Sequence, residues 1–283
     1  MIGARQNESQ IAHKGGDMGA ASALAPYEVS AYNTAATSEN RIHDDSVAQR
    51  FGFVGALVPG VEVYAYMAHM PVARWGRAWL EHGGAEARFL KPVYDGAIAR
   101  VSARADGDAL ALDVRSRGAH CATGRAFAPA PAAPFEISGA PAPTATRPPA
   151  SEHSLAPGLK LGVRPVAFDR AALAAYLEDI RETQTIYLAE GLVHPGQILR
   201  LANQALVQNV VLGPWIHVGS SVRNHSLARL GERLTLDARI VSNAVSKGHA
   251  IVDFDAVAHA DGRAVASIRH TAIWRPRQVA SAQ

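Results

Sequence analysis

The sequence predicts an α+β protein made of two tandem copies of one unit, each a curved antiparallel sheet wrapped around a long helix. Three observations lead there. First, the chain repeats itself: GALVPG at 55–60 recurs as GLVHPG at 191–196, offset by 136, while Arg88 and Gly96 recur as Arg223 and Gly231, offset by 135. A near-constant offset marks a duplication, and its period is far longer than the ~20–50 residues of a solenoid. Second, a Pro-Gly pair opens a long apolar run in each copy. In PGQILRLANQALVQNVVL the apolar residues cover most helical faces, which predicts a helix enclosed by other structure. Third, β-rich runs follow each helix; in the second copy they are WIHVGSSVRN, RLTLDARIVSNAV, HAIVDFDAVAHA and RAVASIRHTAIW. Two such units should pair, because one open sheet leaves an edge to cover.

The elements follow in order. Residues 1–19 read as a tail. Within it, Lys14-Gly15-Gly16-Asp17-Met18 can be encoded by a bacterial ribosome-binding sequence followed by a start codon, so Met18 is the expected true start. The first unit spans 20–128: a short strand Tyr27–Tyr32, a polar and partly helical segment, the helix after Pro59-Gly60, then strands with Asp106-Gly107 as a tight turn. Residues 129–165 hold nine of the sixteen prolines, so 129–162 is read as an extended, semi-rigid linker. The second unit spans 163–277. It opens on a strand Val163–Phe168, and Asp261-Gly262 supplies a hairpin turn between its last two strands. Residues 278–283 form a second tail.

Composition narrows the function. Of 28 basic residues only Lys14, Lys91, Lys160 and Lys247 are lysines, the net charge is +3, and the arginines are scattered. That argues against a nucleic-acid partner. The single cysteine, Cys121, excludes an internal disulfide and a cysteine zinc site, and it suits a reducing cytoplasm. No apolar run reaches the ~18 residues of a membrane span, and the first twenty residues lack the apolar core of a signal peptide. The expectation is a soluble cytoplasmic protein. Phosphate-binding glycine loops and the nucleophile elbow G-x-S-x-G are also missing.

The segment SENRIHDDSVAQRFGFVGALVPG, residues 38–60, concentrates polar groups before the first long helix. Asn40-Arg41-Ile42-His43, followed by Asp45, Ala48, Gly52-Phe53, Gly55 and Pro59-Gly60, resembles the signature of MaoC-like (R)-specific enoyl-thioester hydratases and dehydratases. That signature runs D-x-N-P-x-H, an acidic residue, A, G-F and a glycine before the helix. The resemblance covers the first half of the chain, and with the duplication it implies a double hot-dog fold. It further implies bacterial fatty acid or polyketide metabolism, an acyl-thioester substrate on coenzyme A or an acyl carrier protein, no redox cofactor, no metal, and a possible homodimer. Four departures stand out. Ser38 occupies the Asp position, Arg41 the Pro position, one residue is missing between His43 and Ala48, and Asp179 stands 136 residues after His43, so the second unit has no matching histidine.

The chemistry can be stated apart from the name. Adding water to a C=C conjugated with a thioester needs a base for water, an acid for the α-carbon and donors for the enolate oxygen. His43 and a carboxylate suit the first two tasks, and Asn40 would hold the imidazole or the water. Backbone N–H groups of Gly60 and Val61 at a helix start suit the third. His43, Asn40 and Asp45 are thus the candidate catalytic residues; Gly60, Val61, Tyr64 and Ser38 are the candidate oxyanion and substrate residues. Serine is no base without an activator. Either His43 acts alone, or Glu39, Asp44 or Asp45 takes the vacant role, or Asp179 or Glu182 crosses from the second unit. A thioesterase with Asp44 or Asp45 as base, and a non-catalytic acyl-thioester binding protein, are the rival readings.

Plainer roles stand beside these. Asp44 and Asp45 also suit the first turn of a helix. Glu62 reads as an exposed first-turn glutamate in preference to a buried acid. Tyr66, Trp75 and Trp79 read as core, with Tyr64 singled out as a wall of an acyl tunnel. His194, Trp215, His217, Arg223 and His225 form a second polar cluster; His217 and Arg223, six apart on one predicted strand, are expected on one face.

Overall fold

The structure, a computed structural model, describes residues 24–277. The Met18 start and the two tails lie wholly or mainly outside the described residues. Ten strands form one sheet in the order β1-β3-β4-β5-β2-β7-β10-β9-β8-β6. In the first unit these are β1 (Tyr27–Ser30), β2 (Gly84–Phe89), β3 (Ile98–Asp106), β4 (Ala109–Ser116) and β5 (Ala119–Phe127). In the second they are β6 (Lys160–Gly162), β7 (Ile216–Asn224), β8 (Leu234–Ser246), β9 (His249–Ala260) and β10 (Arg263–Arg275). Each half runs in the same relative order, and the halves join where β2 pairs antiparallel with β7, from Gly84 opposite Arg223 to Arg88 opposite Gly219. Neither unit is left with a bare inner edge.

Inside the curve lie two long helices, α2 (Gly60–Trp75) and α6 (Pro195–Val207), packed on each other. Nearly every residue of α2 from Val61 to Val72 is buried, so the expected enclosed helix is found in both units. Short helices α1 (Asp45–Arg50), α3 (Arg77–His82), α4 (Arg170–Asp179) and α5 (Ile186–Glu190) complete the structure. Among the described residues no helix is long and apolar enough to cross a membrane.

The duplication is more regular in space than in sequence. The bridge between Leu57 and Tyr94 recurs between Leu192 and Arg229, an offset of 135 at both ends. The Pro-Gly pairs are therefore displaced by one position. Pro59 precedes α2, whereas Pro195 is the first residue of α6 and His194 takes the capping place. Proline suits that first helical position because its missing N–H would have no partner there.

The turns follow their glycines. Asp261 and Gly262 both have positive φ (48° and 83°), the backbone of a two-residue hairpin turn. In the first unit the turn is Gly107-Asp108, one residue later than expected, with Asp106 still in β3.

The predicted strand Val163–Phe168 is displaced. Pairing with β8 runs over Lys160–Gly162, lapses, and resumes only as a bridge between Val166 and Leu234. Pro165 interrupts it because proline brings no ladder donor. The linker is also no free spacer. Phe135 N donates to Ser267 Oγ (3.0 Å), Ala140 N to Asp237 Oδ1 (2.8 Å), and Ala150 N to Val211 O (2.9 Å). It is a strap laid on the second unit.

Candidate functional site

The loop before α2 is built around Asn40. Its Oδ1 accepts from Trp215 N (3.2 Å) and Ile42 N (3.4 Å), and its Nδ2 donates to Trp215 O (3.0 Å). Trp215 leads into β7, so this amide clamps the first unit's loop to the second unit. The remaining Nδ2 hydrogen faces His43 Nε2 at 3.3 Å. All four hydrogen-bonding positions of Asn40 are then filled.

His43 ends a single 3₁₀ turn, Arg41–His43. Ile42, 1% exposed, anchors that turn in a small apolar cluster with Ala48, Leu57, Phe53 and Ile216. Asn33 Nδ2 donates to the His43 carbonyl (2.9 Å). The imidazole Nδ1 lies 2.7 Å from Leu57 O, which can only accept. Nδ1 thus carries the proton, and Nε2 keeps its lone pair beside Asn40. Burial lowers the His43 pKa, with the Leu57 bond opposing it, so the ring is neutral near pH 7.

Two chambers meet at this histidine. One, of about 580 Å³, is polar and includes Ser38, Glu39, Glu62, Arg147, Arg164 and Arg200. The other, of about 330 Å³, is mostly apolar and includes Phe53, Val63, Phe89, Ile216, Val218 and Ile273. Asn40, His43, Pro59, Asn203 and Trp215 line both. Val61 lines the polar chamber and Gly60 the apolar one. The N–H groups of Gly60 and Val61 have no acceptor within α2, and Pro59 offers no side-chain cap.

The structure thus brings His43, Asn40, Ser38, Gly60 and Val61 together and leaves two expected residues outside. Asp45 is exposed at the start of α1, its Oδ1 accepts from Ala56 N (2.6 Å), and it lines neither chamber. Its carboxylate holds the loop that leads to α2. Tyr64 is 1% exposed and lines neither chamber; at its place in α2 it points into the core and not along an acyl path. Ser38 Oγ donates to Asn40 O (3.4 Å) and has no activating base among its hydrogen bonds.

No carboxylate replaces the missing Asp cleanly. Asp44 caps α1, accepting from Val47 N (3.2 Å). Glu39 pairs bidentately with Arg147 (3.0 and 3.3 Å). Glu182 is buried away from both chambers, where bonds to His194 and His69 outweigh burial and hold its carboxyl below the usual range. Glu62 corrects the preferred sequence reading, an exposed glutamate, in favour of the buried acid. It is 1% exposed, lines the polar chamber, and is held by Arg200 (2.6 Å), Thr34 Oγ1 (3.0 Å) and Tyr176 OH (3.2 Å). Arg200 sits on α6, so this pair ties the two central helices together.

The second-unit cluster is also rearranged. His217 and Arg223 lie on opposite faces of β7. The register with β10 shifts between Thr271 and Ala272, where Gly219 and then His217 are paired and Val218 is skipped. That bulge inverts the alternation, and it puts His217 on the inner face with Ser220, Val222 and Asn224. Sequence spacing could not show this, because an extra residue in a strand leaves no compositional mark.

No family model and no curated protein matches the chain in sequence. Solved structures do match in fold. RV0216, a conserved hypothetical protein from Mycobacterium tuberculosis with a double hotdog fold, superposes with a TM-score of 0.61 at 16% identity, over 89% of this chain and 96% of its own. A MaoC-like dehydratase gives 0.56 at 13% identity, over 88% and 97%. A MaoC domain protein from Chloroflexus aurantiacus J-10-fl gives 0.56 at 14% identity, over 91% and 94%. With the sheet order and the paired central helices, these matches identify the chain as a double hot-dog protein with the architecture of the MaoC-like dehydratases.

Proposed function

We propose that the protein hydrates an enoyl thioester, or dehydrates a 3-hydroxyacyl thioester, with His43 as the acid/base. The observation behind this reading is the neutral His43, its proton committed to Leu57 and its Nε2 lone pair met only by the Asn40 amide at the junction of a polar and an apolar chamber. In hydration the acyl chain lies in the apolar chamber. The thioester oxygen meets the free N–H groups of Gly60 and Val61, at the positive end of α2. The water displaces the Asn40 amide from Nε2; Nε2 then takes a proton from it as the water oxygen bonds to C3, and the C2=C3 electron pair moves toward the thioester oxygen. The imidazolium then returns the proton to C2. One water is added, His43 ends neutral, and the reverse sequence expels water. One base serves both steps because the carboxylates at the chamber, Glu39 and Glu62, are each committed to an arginine.

Arg164, the one of the polar chamber's three arginines with no carboxylate partner among the described residues, suits a phosphate-bearing carrier, either coenzyme A or the arm of an acyl carrier protein. None of these steps calls on a redox cofactor or a metal. The thioesterase reading loses ground because Asp44 and Asp45, its proposed bases, line neither chamber.

The test is turnover of trans-2-enoyl-CoA and 3-hydroxyacyl-CoA thioesters of graded length, following the conjugated double bond and free thiol together. Change in the double bond without thiol release, abolished in His43→Ala, is the expected result. Thiol release, or no turnover on any chain or carrier, overturns the reading.

A further inference from the structure

His217 has no part in the scheme above, yet it lines the same apolar chamber as His43. It lies on β7 of the second unit and is 6% exposed. Its Nε2 is 3.2 Å from Gly219 O and 2.8 Å from Ser220 Oγ. A carbonyl can only accept, so the proton sits on Nε2. Ser220 Oγ lies in turn 2.9 Å from Nδ1 of the buried His270. The other nitrogen of His217, Nδ1, therefore carries a lone pair, and nothing among the described residues partners it. It stands against the start of α2, where a Cβ built on Gly60 would fall 2.8 Å from it. Burial pushes the His217 pKa down to about 3, so the ring stays neutral and accepting.

We propose that His217 Nδ1 accepts a hydrogen bond from the reacting hydroxyl, the water in hydration or the C3 hydroxyl in dehydration. This rests on the hydratase reading and supplies what that reading lacks. Water held for attack has two hydrogens. His43 Nε2 takes one, and the second needs an acceptor; among the described residues lining this chamber the unpartnered buried acceptors are His217 Nδ1 and Asn203 Oδ1, and His217 is the one set against the start of α2. His217 acts as acceptor and not as base: no proton is transferred to it, and the bond orients the oxygen toward C3. The second unit, without a catalytic histidine of its own, thus completes the site of the first.

The experiment compares the binding of butyryl-CoA and 3-hydroxybutyryl-CoA to wild type and to His217→Leu, with circular dichroism as the check on folding. Leucine keeps an apolar body and removes the acceptor. The expected result is unchanged affinity for butyryl-CoA and an about tenfold loss for 3-hydroxybutyryl-CoA. Equal effects on both ligands overturn the proposal. If His217→Leu does not fold, the 15N resonance of His217 Nδ1 in wild type decides. It should move on adding 3-hydroxybutyryl-CoA and stay on adding butyryl-CoA; a resonance that responds to neither, or equally to both, overturns the proposal. Wild-type turnover reports on the hydratase reading and the ligand comparison reports on His217, so each can fail alone.

Discussion

The starts of the two central helices occupy equivalent places in the duplicated fold and are finished in opposite ways. At α6, His194 Nδ1 accepts from Gly196 N (3.0 Å) and Gln197 Oε1 accepts from His194 N (3.2 Å), so the helix caps itself. Tyr176 and Tyr187 pack around His194 at ring separations of 5.5 and 4.5 Å, and a Cβ on Gly196 would meet Tyr176 OH at 2.1 Å. Nothing can enter there. At α2, Pro59 offers no side-chain cap, the first N–H groups have no acceptor among the described residues, and the space ahead is a chamber with His43 in its wall. One unit has closed its helix terminus with aromatic side chains and become scaffold. The other leaves donors unsatisfied, which is tolerable where a ligand can satisfy them.

The two histidines at these termini should therefore fail differently. His43→Ala should lower kcat by about 10²–10⁴-fold with little change in melting temperature, since a positioned acid/base is worth that much. His194→Ala should cost about 2–4 kcal/mol of stability, because it removes a cap and leaves buried Glu182 one partner short. Its folded fraction should keep its activity. Thermal melts beside activity corrected for folded protein separate the two. The same asymmetry extends to glycine. Gly196→Ala drives a methyl into Tyr176 and into Ala65 of α2 (2.8 Å), and should destabilise by about 3 kcal/mol or prevent folding. Gly60→Ala meets only the rings of His217 (2.8 Å) and Phe89 (3.0 Å), which can shift; about 1 kcal/mol is expected, with a larger loss in kcat than in stability. Equal behaviour of the pair would mean that the α2 terminus is scaffold as well.

What the sequence revealed follows from what repeats. The duplication, the enclosed helices and the strand runs leave periodic or punctuated marks, and those elements are found near where they were expected, apart from the strand at 163–168, which pairs instead over Lys160–Gly162, and the first-unit turn, one residue later. Asn40 and His43 could be singled out as candidates because their spacing to Gly52-Phe53 and Pro59-Gly60 forms a motif. Glu62 was not: a glutamate in a first helical turn reads as exposed, and only Arg200, 138 residues away, makes its burial tolerable. His217 was misplaced because a bulge inverted its strand. Asp45 and Tyr64 sit near the motif in sequence but are turned toward other partners. Residues defined by long-range contacts were the ones missed.

The ion pair that joins the termini gives a smaller effect. Glu62→Gln breaks the link from α2 to Arg200 of α6. A fully buried pair would cost about 3–5 kcal/mol to break, but the Arg200 side chain is 34% exposed and water can serve it, so about 2 kcal/mol is expected in denaturant titration. A neutral result would mean that Thr34 and Tyr176 hold position 62 without the charge.

The smallest effect is the most diagnostic of how dry the α2 terminus is. Hydration needs neutral His43, so its rate falls as pH drops through the folded pKa of that residue. Burial has lowered that pKa below the ordinary 6.5, and the bond to Leu57 O offsets it only in part. The hydration rate should therefore change between pH 7.5 and 6.5 by less than the ~1.8-fold expected of an imidazole with the ordinary pKa, and decline as a single protonation with its midpoint below 6.5. An imidazole with the ordinary pKa would already have lost half its activity at pH 6.5. A midpoint at or above 6.5 in the kcat profile would mean that water reaches the ring and stabilises its charged form. The junction of the two chambers would then be wet, and the contrast between an open and a sealed helix start would rest on the side-chain caps alone.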